Sequence, residues 1–128
     1  MRLLLDTHTF LFSIFEPELL PPKLARMMAD ETVERWVSVI THWEIAVKLQ
    51  IGKLDVPADS DFYLRHIEQL QAKTLSFEPR HCFPLYRLPL HHKDPFDRLL
   101  ISQAIAENMT LASQDRNFSA YPVSLFWE

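Results

Sequence analysis

The segment HHKDPFDRLLIS, residues 91–102, sets two aspartates around a Pro-Phe pair just before an apolar helical run. Asp94 is a good helix N-cap and Pro95 suits the first helical position. Asp97 falls three residues after the cap, where a capping-box carboxylate sits. A carboxylate held at that helix start could also bind a metal ion. Three further acids occupy comparable places. Asp6 closes the apolar run RLLL, Glu44 falls in the first turn after RWVSV, and Asp115 follows MTLAS by two residues. Each has a structural reading of its own. Asp6 could cap a helix beginning near Thr7, and Thr41 to Glu44 spells a capping box. Glu44 could instead pair with Lys48 one turn on, and Asp115-Arg-Asn could be a turn.

Taken together the four acids point further. Carboxylates crowded at one place repel one another, and each tends toward protonation. Hard divalent cations such as Mg²⁺ or Mn²⁺ remove that cost, since they prefer oxygen ligands and retain waters. Four negative charges match two divalent ions, and such a site can activate water and clamp a phosphodiester. Substrate phosphates beside so acidic a centre need local cations, and Lys48, Lys53, Lys93, Arg98 and Arg116 are near the acids in sequence.

Other chemistries find less support. The single glycine, Gly52, excludes the glycine-rich loops that cradle nucleotide phosphates. Cys82 is adjacent to His81, and neighbours in sequence rarely aim at one centre. His91 and His92 lack zinc-ligand spacing and read as loop residues near substrate. Trp36, Trp43 and Trp127 read as core or interface anchors.

The elements that position the acids follow from hydrophobic periodicity. RLLLD, RWVSV (35–39), TLSF, MTLAS (109–113) and SLFW (124–127) read as strands. Helices are expected over THTFLFSIF, from Pro21-Pro22 through KLARMMAD, over THWEIAVKLQIGK and over FYLRHIEQLQA, with the strongest over FDRLLISQAIAEN. In the third, Ile40, Trp43, Val47 and Ile51 form the apolar stripe and Gly52 is the stop; in the last, Leu100, Ala104, Ile101 and Ile105 face the core. Pro84 limits PRHCFPLYRLPL to a short or broken helix. The alternation implies an α/β layered fold on a mainly parallel sheet, whose ligands collect beyond the carboxyl ends of the strands.

The chain is read as one domain, residues 1–128, with a globular composition of 48% hydrophobic and 23% charged residues. Its net charge of -4 means that an anionic partner must be held by a local patch or by metal ions. One cysteine fits a reducing cytoplasm. Asp6 and His8 interrupt the N-terminal apolar run, which argues against a signal peptide, and no segment approaches the ~20 apolar residues of a membrane span.

The blocks LLLDTH (3–8), SxxxxWEIAxKxxxGKL (38–54), LPLHHKDPFDRLLISQA (88–104) and TLASQDRNF (110–118), in that order, resemble the PIN-domain ribonucleases. More narrowly they resemble the VapC-type toxins of bacterial toxin–antitoxin pairs. That resemblance implies a PIN-like three-layer α/β/α sandwich, a metal site of Asp6, Glu44, Asp97 and Asp115, and supporting hydroxyls at Thr7 and Ser113. Asp94 then reads as cap rather than ligand. It further implies Mg²⁺ or Mn²⁺ dependence, RNA as substrate and a homodimer. The partner would be a VapB-type antitoxin, through which alone the toxin–antitoxin hetero-oligomer meets operator DNA. Ser102 stands where alanine is common, which bears on packing. Rival readings are another metal-dependent phosphoesterase, a receiver-like signalling domain, which would need a mid-chain phosphoacceptor aspartate not found here, and an inactive binding module.

Overall fold

The computed structural model describes residues 1–91 and 93–128. Its strands are β1 (Arg2–Leu5), β2 (Glu34–Ser38), β3 (Lys73–Leu75), β4 (Thr110–Ala112) and β5 (Ser124–Phe126). They form one sheet in the order β3-β2-β1-β4-β5, with every pairing parallel. The order grows outward from β1 in both directions, so the chain switches sides of the sheet between β1 and β4. Parallel strands need crossovers, and these are supplied by α1 (Thr7–Phe15), α2 (Pro22–Ala29), α3 (Val39–Gln50), α4 (Ser60–Gln69) and α5 (Pro95–Glu107).

Side chains alternate across the sheet, and β1 divides its leucines accordingly. Leu3 and Leu5 pack with Phe10, Leu24, Val37, Ile45 and Ile67 under α1 to α4. Leu4 faces the other way, with Leu111, Ile101, Ala104, Phe118 and Tyr121, under α5 and the turns beside it. The result is a three-layer α/β/α sandwich. A third small cluster, Ile40 with Phe96 and Leu100, joins the start of α3 to the start of α5. Two helices from opposite layers therefore meet beyond the carboxyl edge of the strands. Among the described residues no helix is long and apolar enough to cross a membrane.

Helix α3 departs from the sequence expectation. Its N-cap is Ser38, whose hydroxyl accepts from the Ile40 N–H at 3.0 Å, so the helix begins before Thr41 and Glu44 sits in its second turn. The capping-box reading of Thr41 and Glu44 is thereby corrected: a polar cap at the last strand residue outcompetes one three residues on. The buried face rotates with the start. Ile40, Thr41, Glu44 and Ile45 are inside, while Trp43 and Ile51 are 53% and 58% exposed. Gly52 ends the helix as expected, at φ 74°, with the Lys53 and Leu54 N–H groups both donating to the Lys48 carbonyl.

The corrected stripe has a direct stability consequence. Ile45→Ala should cost about 2–5 kcal/mol through lost burial and a residual cavity. Ile51→Ala should stay within about 0.5 kcal/mol of the parent. Urea unfolding of both variants checks this, and equal losses would return Ile51 to the core.

Candidate metal centre

The four predicted acids lie at the carboxyl edge of the sheet, where the chain leaves β1 and β4 for opposite faces. Register brings the strand ends level, with Leu5 opposite both Val37 and Ala112. The Asp6 N–H, just past β1, donates to the Ala112 carbonyl at 3.1 Å. The Asp6 carboxylate caps α1 by accepting from the Thr9 N–H at 2.8 Å. On β4's side the Ser113 hydroxyl accepts from the Asp115 N–H at 3.1 Å. Asp115 caps the short 3-10 turn Arg116–Ala120, accepting from the Asn117 N–H at 2.9 Å. Asp6, Asp97 and Asp115 line one pocket together with His8, Gln114, Arg116 and Phe118.

Glu44 approaches from the opposite layer. It is almost fully buried, and the Thr7 hydroxyl donates to its Oε1 at 2.5 Å. Because that proton is spent on Glu44, Thr41, whose Oγ1 is 3.1 Å away, donates to Thr7. The Lys48 ammonium closes an ion pair on Glu44 Oε2, the i,i+4 pairing its spacing allows. Carboxylate oxygens of Glu44, Asp94 and Asp97 lie within 4.8 Å of one another. Asp97 is thus common to both groups of acids.

The opening question about Asp94 and Asp97 now has a fuller answer. Asp94 Oδ1 accepts from the Phe96 and Asp97 N–H groups, at 2.9 and 3.2 Å, and so fixes the start of α5. Among the described residues no reciprocal bond from Asp97 completes a capping box. Asp94 caps and also joins the cluster, while the Asp97 carboxylate is left to the pocket.

Electrostatics follow from this crowding. Partial burial pushes the Asp97 carboxyl up to about 7, and the charges of Asp94, Glu44, Asp6 and Asp115 add to the rise. Asp6 is raised too, because burial outweighs the hydrogen bonds from Ser113 and Thr9 that oppose it. For Lys48 burial favours the neutral amine, yet the Glu44 hydrogen bond and the charges of Glu44, Asp94 and Asp97 prevail and hold its pKa above the usual value. The donor set is therefore all oxygen, close together and short of positive charge. It fits a hard divalent cation.

The predicted cations separate into different roles. Arg116 is exposed at the pocket that holds Asp6, Asp97 and Asp115. Lys93 is exposed beside the start of α5. Lys48 is engaged by Glu44. Arg98 straps the preceding loop instead: Nη1 donates to the Pro89 carbonyl at 2.8 Å, and its guanidinium lies 6.0 Å from the Tyr121 ring centre. Backbone carbonyls, which sequence patterns do not display, have taken it. Of the histidine pair, His92 lies outside the described residues. His91 packs edge-on against Tyr121 with ring centres 5.0 Å apart.

Thr41 and Asp94, which the sequence offers as capping residues, also belong here: Thr41 supports Thr7, and the Asp94 carboxylate joins Glu44 and Asp97. His8 and Gln114, which the sequence did not assign to the site, needed the tertiary fold. Ser102, fully buried, donates to the His81 carbonyl, a use for its hydroxyl that packing alone did not suggest.

Comparison with known proteins agrees with this architecture. No curated protein matches the chain significantly by sequence. Among solved structures, VapBC2 from Rickettsia felis bound to a DNA fragment from its promoter contains a similar chain, with TM-score 0.71, 20% identity and 100% of both chains covered. DNA-bound VapBC from Salmonella typhimurium contains another, with TM-score 0.69, 17% identity, and 98% of this chain and 97% of that one covered. VapBC-5 from Mycobacterium tuberculosis is similar at TM-score 0.54 and 18% identity, over 98% and 95% of the two chains. At these identities the likeness is one of fold. The PIN-domain family model itself matches residues 3–123, nearly the whole chain, and the protein therefore belongs to the PIN-domain family.

Proposed function

We propose that the chain is a metal-dependent ribonuclease, the toxin of a VapBC-type pair. The observation that carries this reading is the meeting of Asp6, Asp115, Glu44 and Asp94 around Asp97, where Lys48 is, among the described residues, the one cation in an ion pair with these acids. Asp6, Glu44, Asp97 and Asp115, with Asp94 beside them, would hold Mg²⁺ or Mn²⁺. When bound, the ion supplies an activated water and neutralises charge at the phosphodiester. The protein's part is preorganisation. Thr7 and Thr41 hold Glu44 in one rotamer, Ser113 braces the Asp6 and Asp115 side, and Arg116 offers a cation for a phosphate at the pocket. Similarity to chains of VapBC complexes supports a VapB-type antitoxin as partner. A homodimer, a cytoplasmic location and contact with operator DNA only through the antitoxin complete the reading.

Incubation of the purified chain with pooled tRNA and rRNA in Mg²⁺ or Mn²⁺ should yield discrete cuts. Excess EDTA or Asp97→Asn should abolish them, as should the cognate antitoxin. Cleavage that survives either EDTA or the substitution contradicts the proposal.

Stability should report the crowded site independently of activity. Folded Asp97 keeps its proton to about pH 7, whereas an unfolded aspartate releases it near 4. Between those values the folded state holds the extra proton, so the metal-free protein should lose stability as pH rises. Thermal melts in EDTA should show a shallower pH dependence for Asp97→Asn than for wild type across this window. Millimolar Mn²⁺ should raise the wild-type Tm and raise the variant's far less. Identical pH profiles and identical Mn²⁺ responses would remove Asp97 from the cluster.

The two arginines should separate in RNA binding. Arg116→Ala should weaken binding and lower the slope of log K against log salt by about one. Arg98→Ala should chiefly lower Tm, since it releases the loop at Pro89. A salt-slope change confined to Arg98→Ala would reverse the assignment.

A further inference from the structure

Between β3 and α5 the chain carries a second concentration of recognition chemistry. Residues 79–93 include Arg80, Arg87 and Lys93 and no Asp or Glu, in a protein of net charge -4. The 3-10 turn at Pro79–Tyr86 is fastened to α5 through His81. Its Nδ1 accepts from the Glu78 N–H at 3.0 Å, its Nε2 lies 2.8 Å from a Glu107 oxygen, and its carbonyl accepts from Ser102. Arg80 is consumed by ion pairs with Glu78 and Glu107. The turn is thus a rigid base.

On that base two aromatic rings are left in solvent, Phe83 at 59% exposure and Tyr86 at 83%. In a 3-10 turn residues three apart eclipse, one ~6 Å above the other. The rings accordingly lie near-parallel, with planes 25° apart and centroids 6.4 Å apart. Both rings line a cleft of about 630 Å³ whose other residues include Arg87, Leu88 and Ile105. Arg87 is exposed, and among the described residues it has no ion pair. A second, smaller groove, lined by Leu85, Leu90, Lys93, Pro95, Arg98 and Leu99, lies between this turn and the first turn of α5, which carries Asp97.

We propose that Phe83, Tyr86 and Arg87 form a stacking platform for an unpaired base of single-stranded RNA, outside the acidic centre. The substrate class rests on the ribonuclease reading above. Exposed aromatic faces beside a cation that can meet a phosphate are how single-stranded RNA is held, and Arg87 is such a cation, since Glu78 and Glu107 are already paired with Arg80.

The platform is tested by fluorescence anisotropy with a labelled single-stranded RNA of about 12 nucleotides, in EDTA so that nothing is cut. Phe83→Ala with Tyr86→Ala should weaken binding by about ten-fold or more. Tyr86→Leu should weaken it as well, whereas Tyr86→Trp should preserve it, because stacking needs a ring face rather than apolar area. Arg87→Ala should lower the salt slope by about one. Mn²⁺-dependent hydrolysis of bis(p-nitrophenyl) phosphate, too small to reach the platform, should be unchanged in all of them. Unaltered RNA affinity in the double variant overturns the proposal. So does a shift from dimer to monomer in sedimentation with affinity per protomer retained, which would make the rings a protein interface. Should the wild type hydrolyse neither RNA nor the small ester, the ribonuclease reading fails by itself, and the anisotropy still decides the platform.

Discussion

Mutual repulsion among carboxylates at the carboxyl edge of a parallel sheet is the constraint around which this protein is organised. The strand order grows in both directions from β1, so a crevice forms beyond β1 and β4, where the chain leaves them for opposite faces. Asp6 and Asp115 enter it from the strand ends, Glu44 from one helical layer and Asp97 from the other. Nothing in ordinary stability explains assembling them there. A partly buried carboxyl pushed to about 7 is a standing cost to the metal-free fold, and it is tolerated where function needs concentrated charge.

The acids are kept in place by the same bonds that begin the secondary structure. Asp6 caps α1, Asp94 caps α5 and Asp115 caps a 3-10 turn, each accepting a backbone N–H. A cap is worth about 0.5–2 kcal/mol and fixes the carboxylate's rotamer as it forms. The structural and chemical readings of these residues are therefore not alternatives. One carboxylate oxygen can stabilise a helix start while the group contributes charge to the pocket. Glu44, in the second turn of α3, has no such anchor and is held instead by Thr7, Thr41 and Lys48.

Much of this was legible in the sequence. Strands ending in acids, a strong helix beginning DPFD and a single glycine at the end of α3 report local chemistry that tertiary contacts did not overrule. What was misread depended on phase. Moving the start of α3 from Thr41 back to Ser38 changes which of Trp43, Ile45 and Ile51 is buried, and periodicity fixes spacing better than origin. The fates of the cations were less accessible still. Arg98 went to backbone carbonyls and Arg80 to Glu107 as well as to its neighbour Glu78, and the Pro89 and Glu107 partners become visible only when the loop is laid against α5. The exposed Phe83 and Tyr86 could not be told from core aromatics by composition.

Asp97 holds its proton to about 7 because burial, and then the surrounding carboxylates, disfavour its charge, and the proposed divalent ion would relieve this. Side-chain ¹³C NMR of the carboxyl carbons, titrated from pH 3 to about 9, follows Asp97 directly. Without metal its midpoint should fall at about 7. With saturating Mg²⁺, which is diamagnetic, the midpoint should move down to or below the ordinary aspartate range near 4. A metal-free midpoint already near 4, unmoved by Mg²⁺, would contradict the account.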